Sequence, residues 1–135
     1  MNKIILYKEK YNKTPNKYGI TYKINEILLK GQKFKRLGEY KKAQDIYDGI
    51  LQIDGASGIL YIAIAKNLAC NGEYEGAIKL LELANKACIN ELGIEDENCL
   101  YHIEQLRNRE KLGNEAFLKY MRSIAGNPNY ELSKD

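Results

Sequence analysis

The hexapeptide Gly-Glu-Tyr-Lys-Lys-Ala at residues 38–43 returns as Gly-Glu-Tyr-Glu-Gly-Ala at residues 72–77, 34 positions further on. A fixed period of this size constrains the fold most, because it calls for one supersecondary unit built twice and stacked on itself. Apolar residues at helical spacing flank both copies. Ile24, Ile27, Leu28, Gly31 and Phe34 precede Gly38, and Ala43, Ile46, Tyr47, Ile50, Leu51 and Ile53 follow it. Tyr61, Ile64, Ala65 and Leu68 precede Gly72, and Ala77, Leu80, Leu81 and Ala84 follow it. Each unit therefore reads as two amphipathic helices joined by a short turn.

The repeated residues have separate tasks. Gly38 and Gly72 stand where a helix must end, and glycine accepts the left-handed conformation that closes it. Asn71 suits the same turn. Ala43 and Ala77 are small enough to let the second helix lie close against the first. Tyr40 and Tyr74 can cover the turn with a ring while the hydroxyl stays in water. Asp54-Gly55-Ala56-Ser57 separates the units, and Ser57 is placed to cap the next helix.

A helix–turn–helix period of 34 resembles the tetratricopeptide repeat. The first unit carries the family pattern as Ile27, Lys30, Gly31 and Phe34, then Ala43 and Tyr47, with Gly55 in the proline slot. The second carries it as Tyr61, Ile64, Ala65 and Leu68, then Ala77 and Leu81, with Ile89 in that slot. The match covers about residues 24–91. The resemblance implies an all-α, right-handed superhelix of helix pairs, two of them clear and a third degenerate. Leu100, Ile103 and Leu106 predict a helix at about 96–110. Lys111 to Asn114 reads as a turn. Ala116, Phe117, Tyr120, Met121 and Ile124 predict a last helix. The expected organisation is an arm or loop over 1–20, a helical domain over 21–125 and a flexible tail over 126–135. "KIILY" at residues 3–7 reads as a strand or extended arm, since Thr14-Pro15-Asn16 interrupts a helical pattern.

The resemblance also implies a partner site. In this family the first helices of successive pairs line a concave groove that takes peptides or partner helices. The corresponding positions are Asn25, Leu28, Gln32 and Lys35 in the first unit and Ile59, Ile62, Lys66 and Ala69 in the second. Tyr101, Gln105 and Asn108 are the third unit's additions. Ile59 and Ile62 exceed what repeat packing uses, so they read as surplus apolar surface. Lys35 and Lys66 would rim it. Either residues 1–20 or the last helix could fill the same groove. Leu28 and Gln32 stand where the carboxylate-gripping subclass has Lys and Asn, and Ala63 stands where it has Asn.

Charge and cysteine usage bound the remaining classes. Residues 1–42 carry 12 Lys and Arg against three Glu, whereas residues 43–135 carry 9 against 15 acids. The basic end could meet nucleic acid, an acidic protein or the acidic half of another copy. Cys70, Cys88 and Cys99 are odd in number and unpaired in pattern, which fits a reducing, cytoplasmic setting. The longest apolar run, Ile59 to Ala65, is far short of the ~20 residues that span a membrane. Cys99 and His102 share a helical face, which is neither a metal site nor a catalytic pair by itself. Glu95, Asp96 and Glu97 suit the positive end of the following helix. The expectation is a non-catalytic module for protein or peptide binding, without cofactor or metal. Its alternatives are a nucleic-acid-associated protein or a self-assembling one.

Overall fold

A computed structural model describes residues 3–13, 18–53 and 56–132. Every regular element among them is helical. The order is α1 (Lys3–Lys13), α2 (Tyr22–Arg36), α3 (Tyr40–Tyr47) with a 3-10 extension (Asp48–Gln52), and α4 (Gly58–Cys70). There follow α5 (Tyr74–Leu92), α6 (Glu97–Arg107), the single turn α7 (Arg109–Leu112) and α8 (Asn114–Ala125).

The two Gly-Glu-Tyr copies build the same turn. Gly38 and Gly72 take φ of 80° and 81°, a left-handed backbone that side chains disfavour. Glu39 and Glu73 both sit at φ −93°, ψ 67°. The Glu39 amide donates to the Phe34 carbonyl at 2.9 Å and the Glu73 amide to the Leu68 carbonyl at 2.8 Å. Two helix pairs result, α2 with α3 and α4 with α5, and Ala43 and Ala77 are wholly buried between their partners. Gly31 lets the first pair close: a Cβ there would lie 2.0 Å from the Tyr47 ring.

The apolar run of α4 makes it the central helix. It packs against α2, α3, α5 and α8, and only Ile59 and Lys66 along it are more than marginally exposed. A helix apolar all round must be covered all round. Each fully buried Leu or Ile contributes about 1.5–3 kcal/mol. Ser57 caps α4, its Oγ accepting from the Leu60 amide at 3.2 Å. Asp96 caps α6 in the same way, accepting from the Asn98 amide at 2.9 Å and the Cys99 amide at 3.3 Å.

Three expectations are revised. Residues 3–13 are a helix, not a strand or extended arm. Ile4, Tyr7 and Tyr11 form a helical stripe that packs on α5 and the 3-10 segment. Tyr7 hydrogen-bonds Asp48, and Gln44 donates to its hydroxyl at 2.8 Å. Thr14-Pro15-Asn16 lies beyond Lys13, so it follows the helix instead of breaking it. The loop expected there falls at residues 14–17, outside the described residues, as do Asp54-Gly55 and residues 133–135 of the tail. Residues 126–132 are tied down: Tyr130 is buried and its hydroxyl donates to the Cys70 carbonyl at 2.9 Å. The turn foreseen at 111–114 is in part the helical turn α7, and Gly113 at φ 82° separates it from α8.

The turn tyrosines seat the C-terminal elements. Tyr40 meets the Tyr130 ring edge-on at 6.4 Å, and Tyr74 meets Phe117 at 5.7 Å. The α8 helix lies chiefly on α4, not along α6.

Candidate functional site

Six of the eight expected groove residues line one hollow of about 230 Å3: Leu28, Gln32, Lys35, Ile59, Ile62 and Lys66. They come from α2 and α4, where positions 28, 32 and 35 and positions 59, 62 and 66 recur at helical spacing. Ala69 is not part of it, because it is fully buried in the core, and Ile62 is buried too at 7% exposure, so of the two isoleucines only Ile59 offers surplus apolar surface. Asn25 is exposed on the same stripe of α2 but beyond the hollow. Tyr101, Gln105 and Asn108 also stand elsewhere. The wall from α6 is Asn98 instead, near its N-terminus.

Sequence reasoning missed Tyr18, which forms the remaining wall. Its carbonyl accepts from the Ile59 amide at 3.0 Å and from the Ser57 hydroxyl at 3.3 Å. Its amide donates to Glu91 at 2.6 Å, and its hydroxyl bonds Asp96. One residue thus joins the start of α4, the end of α5 and the start of α6. Gly58 leaves room for it, since a Cβ there would lie 2.6 Å from the Tyr18 ring. Nothing in a lone Tyr-Gly before α2 signals this role.

The walls of the hollow are mixed, with Leu28, Ile59, Ile62 and Ala63 beside Gln32, Asn98 and Tyr18, and two lysines add positive charge. Lys35 is buried, and its ammonium donates to the Ile124 carbonyl in α8. Burial pushes it down to about 8, and Lys66 adds repulsion. Lys66 is half-buried and is pushed down by that burial. Neither lysine forms an ion pair with a carboxylate among the described residues. His102 lies close by and is held down to about 4, first by burial and then by Lys66. A neutral imidazole is the result at neutral pH.

Cys99 and His102 do not make a nucleophile and base. The His102 Nδ1 is 2.8 Å from the Tyr120 hydroxyl. The Cys99 thiol is pushed up by burial and by the Asp96 carboxylate, which opposes thiolate formation. No group of three metal-ligating side chains occurs among the described residues. No described helix is long and apolar enough to cross a membrane. What the hollow can do chemically is bury an apolar side chain beside a negative charge. No protein-family model, curated protein or solved structure matches the chain.

Proposed function

We propose that the protein is a non-catalytic interaction module of tetratricopeptide-like helix pairs that holds an acidic, apolar-edged segment of another protein in the α2–α4 hollow. The observation that carries this reading is Lys66: a half-buried ammonium beside Ile59 and Ile62, with no carboxylate paired to it among the described residues. A cation taken partly out of water gains most when a ligand brings the missing anion. Ile59 and Leu28 supply the apolar burial, and Gln32 and Asn98 supply amides for a peptide backbone.

The Ile124 carbonyl of α8 holds the Lys35 ammonium, which leaves Lys66 as the cation for the ligand. A hollow of about 230 Å3 takes a short segment. The three buried free cysteines support action in the cytoplasm.

Selection from a displayed library of random short peptides tests the reading. Enriched sequences should pair Asp or Glu with aliphatic residues. Lys66→Glu should weaken them by about tenfold or more, which is 1.4 kcal/mol or more. No enrichment, or equal binding by the Lys66→Glu chain, would contradict it.

A further inference from the structure

Ten large apolar side chains stand exposed among the described residues, and nine of them fall into two groups. Tyr22 and Leu29 mark the outer face of α2, with Ile20 just before the helix and Leu37 at its end. Ile89, Leu92, Ile94, Leu100 and Tyr101 mark the corner where α5 passes into α6. The groups lie on different elements, since α2 packs on α3 and α4, while α6 packs on α5, and Tyr18 ahead of α2 lines one side of the α5–α6 corner.

The two faces differ in sign. Lys23, Lys30 and Lys33 surround the first, with Glu26 the acid among them. Glu95, Glu97 and Glu104 surround the second. None of these lysines, and none of Glu95, Glu97 and Glu104, is held in an ion pair among the described residues. The shapes differ too. Tyr22 projects from α2 at 79% exposure. The α5–α6 corner is concave, a hollow of about 750 Å3 lined in part by Leu92, Ile94, Glu97 and Leu100. Among the described residues α6 packs chiefly on α5 and α7, and α8 reaches it where Tyr120 meets Tyr101 and His102.

We propose that these two faces bind each other between copies of this chain, head to tail, with Tyr22 of one copy entering the α5–α6 hollow of the next. Like faces repel, lysine against lysine or glutamate against glutamate, so only the unlike pair is attractive. Apolar burial supplies the affinity and the charges fix orientation. A contact between two different faces leaves each copy with a free face of each kind. Assembly therefore continues instead of stopping at a dimer.

Mass in solution, measured against concentration at low salt, tests this with two charge-reversed chains. One carries Lys30→Glu and Lys33→Glu; the other carries Glu95→Lys, Glu97→Lys and Glu104→Lys, which outweigh the Asp96 that remains. All five side chains are exposed, and circular dichroism checks that both chains fold. The unaltered chain should exceed 15.5 kDa, the mass of one copy, and grow with concentration. Each reversed chain alone presents two faces of one sign and should remain at single-copy mass. Mixed in equal amounts they present opposite faces again, and assembly should return. An unaltered chain that stays at one copy at every concentration overturns the proposal and leaves the faces to another partner. Assembly that persists in either reversed chain, or a mixture that does not reassemble, overturns it as well.

Discussion

The Lys35 ammonium donates to the main-chain carbonyl of Ile124, 89 positions further along the chain, at 2.5 Å. That carbonyl belongs to the last turn of α8, where the helix presents its negative end. The bond joins the end of α2 to the end of α8. Asn127 strengthens the junction by donating to the Arg36 carbonyl at 3.2 Å.

Lys35 makes stability depend on alkaline pH. Its folded value of about 8 lies below the ordinary 10.5. Between those values the unfolded chain retains a proton that the folded chain has released, so stability rises with pH there. Urea unfolding at about pH 7.5 and about pH 9.5 should show a gain of about 1–2 kcal/mol in the unaltered chain. Lys35→Met should lack the gain, and comparing the two removes the contribution of the tyrosines.

His102 sets the acid side. Its folded value of about 4 lies below the ordinary 6.5, so only the unfolded chain takes up a proton between them. Stability is therefore full above pH 6.5 and falls as the pH drops toward 4. A loss of about 2–3 kcal/mol is expected across that window. His102→Gln should flatten this part of the pH profile of urea unfolding.

Gly31→Ala should destabilise the chain although alanine favours helix by about 1 kcal/mol. The new methyl would meet the Tyr47 ring at 2.0–2.6 Å, and Tyr47 is wholly buried with nowhere to turn. Overpacking of this kind costs about 1–3 kcal/mol beyond the propensity gain. Denaturant midpoints of the two chains, at unchanged slope, measure it.

The thiols should be inert in the folded chain. Burial pushes Cys70 up to about 12 and raises Cys88 and Cys99. A chromogenic disulfide reagent at neutral pH should react with all three only as the chain unfolds. Fast reaction of one thiol in the native state would place that cysteine in a more open setting than this one.

What the sequence made legible is local. The turns at Gly38 and Gly72 were readable because a left-handed backbone selects glycine wherever it occurs. That residues of α2 and α4 would face one hollow was readable because helical spacing carries from one unit to the next. The burial of Lys35 and its bond to α8 were not, since where α8 packs depends on contacts between Tyr74 and Phe117 and between Tyr40 and Tyr130. The α1 helix was obscured by Pro15, which lies past its end. Tyr18 was invisible because its role rests on four partners from three distant segments.

The central claim is that the α2–α4 hollow receives an acidic segment at Lys66. Nitrogen–proton NMR spectra of the labelled chain, titrated with the strongest peptide from the library selection, test it most directly. The account predicts shifts at Leu28, Gln32, Ile59 and Lys66, with the outer faces of α2 and α6 unmoved and the shifts lost in Lys66→Glu. Shifts confined to the outer faces, or a spectrum that does not change, would contradict it.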